Sequence, residues 1–317
     1  MGYAAMRHRE AKGGLQLQTN RRLFITALIL ISVTTLAALG FWWSVKLEGP
    51  VFFEQFRERT SIVGTTPEGF PLYQQVTLQM PFLTDASDKR VIERVVFPEA
   101  PWPEDQVRIY YEPGAGLTSF MGTSVGKTTI GRYNFNTLMV SIDLLEAEPF
   151  GPVKLTHAEL YYSNGERETV EFGEIYLSGI ELPEGHFEHR SSGGTSGHSY
   201  ESNFSVEIPM EVLEVKSPLM SELEALFEIK INSESAAELK GAKLSEGDSV
   251  HTTAVPKGPW DITQQFTVYD LTPVLTYRTT EGEIYSQRLM SIIEYSAINR
   301  PENFLDLVRY LRARGVI

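Results

Sequence analysis

Residues Gly122 to Thr128, GTSVGKT, come nearest in this chain to a phosphate-binding loop. Such a loop needs four residues between its glycines, so that backbone can wrap a phosphate before a helix begins. Here three residues separate the glycines, and Met121 stands where the first glycine belongs. Leu138–Asp143 has the form of an apolar strand ending in a carboxylate, but it follows too soon. The segment reads as a glycine-rich loop between strands. No nucleotide and no other cofactor is expected.

His186, His189 and His198, with Glu188 beside them, offer imidazole and carboxylate ligands suited to zinc or copper. They fall in or beside a Gly/Ser-rich stretch that cannot hold ligands rigid, so no metal site is expected. Trp102 in Pro101-Trp102-Pro103 and Trp260 in Pro259-Trp260-Asp261 are the candidate ligand-binding residues. A rigid indole beside Glu104, Asp105 or Asp261 can stack on a sugar ring while the carboxylates accept hydroxyl protons. The competing reading is that each indole caps the end of its own core.

Glu166/Glu168 and Glu171/Glu174 could in principle form a glycosidic acid/base pair. They alternate along strands, however, and read as a solvated face. His157 is the lone histidine inside a strand, with nothing local to pair it with a nucleophile. No G-x-S-x-G elbow is present. No catalytic residue is therefore assigned, and the chain is read as non-enzymatic.

Charge and composition narrow the partners. The net charge is −13, with +4 in residues 1–22 and −17 in the remainder. So acidic a body lacks the basic footprint that nucleic acid requires. With no cysteine in the chain, disulfides, thiolate metal sites and thiol nucleophiles are excluded. A disulfide-free exterior of this size must be stable on packing alone, and it suits a bacterial envelope.

Leu23–Ser44 carries no charge over 22 residues. At about 1.5 Å per residue this spans a hydrocarbon core of about 30 Å. Ser32, Thr34 and Thr35 can bond back to helix carbonyls. Arg21 and Arg22 flank one end and Trp42 and Trp43 the other, which predicts a cytoplasmic N-terminus and a single-pass anchor. The small-x-small run Ala38-Leu39-Gly40 would suit a signal-peptidase cut if the segment were instead cleaved.

Beyond the anchor the apolar period is two. Strands are predicted over Leu72–Met80, Val91–Phe97, Val107–Tyr111, Leu138–Leu144, Thr156–Tyr162 and Glu168–Leu177. Phe204–Ile208, Leu226–Ile231, Gln264–Tyr269, Val274–Thr279 and Ile284–Tyr295 continue the series. Asn164-Gly165 and Glu281-Gly282 supply the positive φ that tight hairpins need. They read as closing hairpins of two sandwiches. A short helix is predicted from Ser217-Pro218 through Leu226. A terminal amphipathic helix is predicted with Asn299-Arg300-Pro301-Glu302 at its start, Phe304, Leu307, Val308 and Leu311 on one face, and Gly315 at its end. It is expected to pack on the second sandwich.

The expected fold class is all-β, antiparallel β-sandwich in two immunoglobulin-like domains, with one N-terminal transmembrane helix and a C-terminal amphipathic helix. The expected layout is a basic cytoplasmic tail over 1–22, an anchor over 23–45, and a first sandwich over 51–189. A Gly/Ser-rich linker over 190–203, a second sandwich over 204–300 and a helix over 301–315 complete it. The expected function is a membrane-anchored, extracytoplasmic interaction or adaptor protein that contacts the lipid bilayer through residues 23–45. It would bind another membrane or envelope protein, with the aromatic run Pro50–Arg59 as a contact surface. The alternatives are a cell-surface binder of glycan or wall polymer through Trp102 and Trp260, and an extracytoplasmic hydrolase with a scattered site.

Overall fold

The fold, taken from a computed structural model, is described for residues 3–64, 75–111, 129–144, 148–180, 185–195, 197–294 and 303–317, with side chains from residue 20 onward except that of Tyr111. Two compact units result, residues 1–47 with 317, and residues 48–316. In the first, helix α1 (Tyr3–Ser44) contains a 25-residue stretch, Asn20–Ser44, that is nowhere buried and holds an 18-residue window of mean hydropathy 2.3. It is long and apolar enough to cross a membrane. Thr34 Oγ1 donates to the carbonyls of Leu30 and Ile31 at 2.9 Å, so this hydroxyl is satisfied within the helix as expected.

The second unit is built from strands. Sheet I has the order β1 (Val51–Phe52), β3 (Gln75–Asp85), β7 (Tyr133–Asp143), β5 (Val107–Tyr111), with β6 (Thr129–Ile130) also on β7. Sheet II runs β20 (Ile292–Glu294), β17 (Val268–Leu271), β2 (Gln55–Ile62), β9 (Arg167–Ile180), β8 (Phe150–Tyr162), β4 (Ile92–Val96). Sheet III runs β10 (Phe187–Gly194), β11 (Tyr200–Val206), β16 (Ser249–Pro256), β13 (Phe227–Ile231), β14 (Glu234–Ser235). Sheet IV runs β15 (Lys243–Leu244), β12 (Met210–Lys216), β18 (Val274–Thr279), β19 (Ile284–Arg288).

Period-two patterning explains the two sandwiches. Val76, Leu78, Met80 and Phe82 of β3 and Leu138, Val140 and Ile142 of β7 turn one face of sheet I inward. They meet Leu160, Phe172, Ile175 and Leu177 of sheet II. Sheets III and IV close a second core around Phe204, Val206, Val212, Val250, Leu275 and Tyr277. The expected hairpins form. Gly165 takes φ +84° between β8 and β9, and Gly282 takes φ +90° between β18 and β19. The all-β sandwich architecture with its two terminal helices is thus the observed one.

Two strands cross between the sandwiches. After β16 the chain passes through α3 (Ile262–Gln265) and enters sheet II as β17, parallel to β2. It returns for β18 and β19, then comes back as β20 beside β17. β2 is parallel to both its neighbours, β17 and β9, a local departure from the antiparallel pattern. Residues from the 204–300 segment therefore complete the sheet begun by residues 51–189.

Several expectations are corrected. Residues 190–203, read as a linker, are most of the β10–β11 hairpin, paired from Phe187↔Val206 to Gly194↔Tyr200. β10 carries no apolar period because every residue from Glu188 to Gly194 is exposed, so the pattern that marks a half-buried strand is missing. Gln264–Tyr269 begins as helix, because Asp261 forms a capping box with Gln264. The strand itself starts at Val268.

In the aromatic run Pro50–Arg59, Phe52 and Phe53 are core, Phe56 is half-buried and Arg59 is exposed. Phe52 stacks on Phe82 at 4.8 Å, and Phe53 sits among Phe135, Phe266 and Tyr310 at 5.3–6.0 Å. The terminal helix α4 (Phe304–Ala313) is capped by Asn303, whose side chain accepts from the Asp306 amide at 2.9 Å. Asn299 to Glu302 lie outside the described residues. Its buried face rests in part on sheet I, with Phe304 on Tyr133 and Tyr310 on Phe53, and in part on α3 and Phe266 of the 204–300 segment, and not on sheets III and IV. The reason is topological: β20 leaves the chain at the edge of sheet II. Gly315 ends the helix as expected, with φ +70° and bonds to Arg312 O and from Val316 to Leu311 O. Helix α2 (Met220–Leu226) forms within its expected span.

Candidate functional site

The inner parallel strand β2 builds the most chemically loaded cleft. In sequence it reads Gln55-Phe56-Arg57-Glu58-Arg59-Thr60, and Gln55, Arg57 and Glu58 are buried. Burial follows from position, since β2 lies between β17 and β9 with sheet I against one face. The cleft, about 370 Å³, opens where β2 and β17 meet the second sandwich. It is lined by Glu58, Arg59 and Thr60 of β2 and Asp270 of β17, by Arg288 to Ser291, and by His189, Ser192, Ser202 and Phe204 of the β10–β11 hairpin.

Its charges are held tightly. Asp270 is 3% exposed and pairs with Arg59. Burial pushes the Asp270 carboxyl above its usual range, against the pull of Arg59, then Arg57, then Arg288. Glu58 accepts from Ser217 Oγ and from the Thr272 amide at 3.3 Å. Burial raises its pKa too, these hydrogen bonds opposing it and nearby Asp270 adding to it. Arg57 donates to the Gln79 carbonyl of sheet I at 2.7 Å. Arg288 donates to the Thr60 carbonyl at 2.8 Å. The residue as a whole is exposed, but burial of its guanidinium end, with Arg59 beside it, lowers its pKa.

A second cleft of about 560 Å³ lies on the outer face of sheet II, lined by Glu54, Phe56, His157, Glu171, Glu174 and Arg314 among others. His157 is not without a partner, as local sequence suggested. Its Nδ1 lies 2.7 Å from Glu99 Oε1, 58 residues back. The same oxygen accepts from Thr156 Oγ1 at 2.6 Å, so that hydroxyl is committed to a carboxylate.

The structure separates the other candidates. Trp102 is half-buried, packs on the first core and meets Phe150 edge-on at 5.7 Å. Trp260 is half-buried among His198, Phe227 and Tyr269 at 5.0–5.9 Å. The two indoles belong to different cores and are not brought to one site. His186 bonds Tyr277 Oη at 3.1 Å, His189 lies edge-on to Phe204, and His198 pairs with Glu294. Each imidazole thus has its own neighbours, and no group of three metal-ligating side chains occurs among the described residues. Glu166 and Glu168 both pair with Arg90, and Glu174 with Lys154. The Gly122–Thr128 loop lies outside the described residues.

Sequence reasoning missed Glu58, Arg59, Asp270 and Arg288. A faint signal existed in Asp270, a carboxylate inside the apolar run Val268-Tyr269-Asp270-Leu271. The Arg-Glu-Arg run of β2 behind three phenylalanines was another.

No family model matches the chain, and no curated protein matches it in sequence. Among solved structures, the chain is similar to the D00-D0 domain of intimin at 9% identity and a TM-score of 0.22, over 78% of this chain and 99% of that one.

Proposed function

We propose that this chain is a membrane-tethered, non-catalytic interaction protein whose β-sandwich unit binds another membrane or envelope protein. The apolar stretch of helix α1 serves as the anchor, and the basic residues on its N-terminal side keep the N-terminus in the cytoplasm. The observation that carries the reading is the free edge of sheet III. Among the described residues β10 pairs only with β11, and all seven residues from Glu188 to Gly194 are exposed. Edge strands are commonly shielded by lysine, proline or a covering loop, because unpaired N–H and C=O groups recruit another strand. Here Ser191-Ser192-Gly193-Gly194 has no lysine, no proline and no bulky side chain. Such an edge suits strand addition, with main-chain hydrogen bonds giving affinity. The occupant is an extended segment of the partner.

The test compares wild type with the double variant Ser191→Lys/Gly193→Lys, which supplies the missing edge charges. Full-length protein is extracted gently from its native membrane and its co-purifying proteins are quantified. The reading expects a stoichiometric partner on wild type that is lost from the variant while strand content and melting stay the same. Absence of such a partner from wild type, or its full retention on the variant, would overturn it.

A further inference from the structure

Building on the strand addition proposed above, we infer that the strand recruited by β10 carries a lysine or arginine opposite Gly193, held there by the carboxylate of Glu201. Hydrogen-bond parity fixes which main-chain groups of the edge are open. The Thr195 amide donates to Ser199 O and the Val206 amide to Asp248 O, both at 2.9 Å. Antiparallel ladders alternate between bonded and unbonded pairs. Odd-numbered residues of β11 therefore bond β10, and even-numbered ones bond β16. The register is Ser191↔Asn203, Ser192↔Ser202, Gly193↔Glu201 and Gly194↔Tyr200. The N–H and C=O groups of Ser192 and Gly194 thus point away from β11, into the open edge.

The chain's own packing does not require glycine at 193 or 194. Neither residue has a positive φ. A Cβ on Gly193 would lie 3.6 Å from Glu201 Oε1, and one on Gly194 3.4 Å from the Tyr200 ring, both ordinary contacts. The register shift of β10 falls earlier, between His189 and Ser191. Glycine inside a strand weakens it, and where no bulge explains it, it suits close approach by another chain. Successive side chains alternate in face. Ser192 and Ser202 line the cleft, so Gly193 and Glu201 share the opposite face. Glu201 is exposed there and makes no ion pair among the described residues. Its carboxylate lies over Gly193, on the side of the open edge. On its other side, beyond Thr253, Lys230 is already paired with Glu228 at 2.8 Å. Arg190 of β10 is likewise taken, by Glu188 at 2.8 Å. An added strand lies about 4.8 Å beyond β10. With no side chain on Gly193 in the way, a lysine or arginine opposite it reaches the Glu201 carboxylate. The net charge of −13 also draws basic segments toward the body.

The experiment is calorimetric titration of the full chain in nanodiscs of uncharged lipid. The probes are three acetylated and amidated peptides, Thr-Val-Thr-X-Thr-Val-Thr, in which X is lysine, glutamine or glutamate. The lysine form should bind about two- to fivefold tighter than the glutamine form, the range of an exposed ion pair, with the glutamate form weaker still. Added salt should shrink the gap. Glu201→Lys should reverse the order. Gly193→Val, which sets a side chain between the carboxylate and the edge, should erase it. Ser192→Pro removes an open N–H and no ladder bond, so it should weaken all three peptides alike. Melting curves check that each variant is folded. Equal binding of the three peptides, or an unchanged order in Glu201→Lys, would overturn the assignment of a basic residue and leave strand addition standing. No binding of any peptide, or binding undiminished in Ser192→Pro, would overturn both.

Discussion

Gly173 governs whether β2 can lie where it does. It sits in β9 with φ +93°, and a Cβ built there would lie 2.4 Å from the carbonyl oxygen of Gln55 and 2.8 Å from its nitrogen. Both atoms are backbone of the neighbouring parallel strand, so no side chain can rotate away. In Gly173→Ala, β2 must withdraw by about 0.6 Å to restore even a 3.0 Å approach. The unfavourable φ costs about 1–2 kcal/mol. Loosening two ladder bonds adds about 1–3 kcal/mol at the usual net value per bond.

Gly165 provides the control. Its φ is +84°, nearly the same, but a Cβ there meets nothing within 4 Å. Gly165→Ala should therefore lose only the backbone contribution, about 1–2 kcal/mol. The difference between the two variants isolates the collision and should be about 1–3 kcal/mol. Urea unfolding of the full chain in detergent, followed by tryptophan fluorescence, measures both. Should the two variants agree within about 0.5 kcal/mol, the range within which independent effects normally add, the steric account of the β2–β9 contact is wrong.

Phe53→Ala should destabilise by about 3–5 kcal/mol, the loss expected for a fully buried phenylalanine, and unfolding that shifted by less than about 0.5 kcal/mol would return this residue to the surface. Glu58 has a raised folded pKa through burial, so wild-type stability should fall as pH climbs from 4.5 through that value. Glu58→Gln removes the titration, and its melting temperature should gain on wild type over that window; a gap independent of pH would refute this. Asp85 behaves oppositely: burial pushes its carboxyl up, but bonds from Arg132 and Ser87 overcome this and hold it below 3.8. Its contribution is present above 3.8 and lost as pH falls through the folded value, so Asp85→Asn should cost about 1–3 kcal/mol at neutral pH and progressively less in acid. Melting curves at pH 7 and pH 3 decide it, and an equal deficit at both would contradict the assignment.

The legible parts of this protein share a physical cause: their signal is local. Val107–Tyr111 and Val274–Thr279 form strands with those very bounds, because apolar alternation and flanking turn residues act within a few positions. Asn164-Gly165 makes its hairpin because positive φ is a property of the dipeptide. The apolar stretch within α1 announces itself by length and lack of charge. β10 was hidden because both its faces meet water, and β17 because a capping box turns its first predicted residues into helix.

From sequence alone came the class of the body, the apolar N-terminal helix, the hairpins and the amphipathic character of α4. Tertiary structure decided which surfaces these elements cover. Phe52 and Phe53 look like an exposed aromatic run until β3, β7 and α4 close over them. His157 gains a carboxylate only because a loop residue far back in the chain is folded against it. Asp270, Arg59 and Arg288 lie 18 to 229 residues apart and meet only because β17 crosses to pair in parallel with β2. A parallel partner has no turn signal to announce it, since its connection is long and its pairing is chosen by burial of the whole sheet and not by any neighbouring residue.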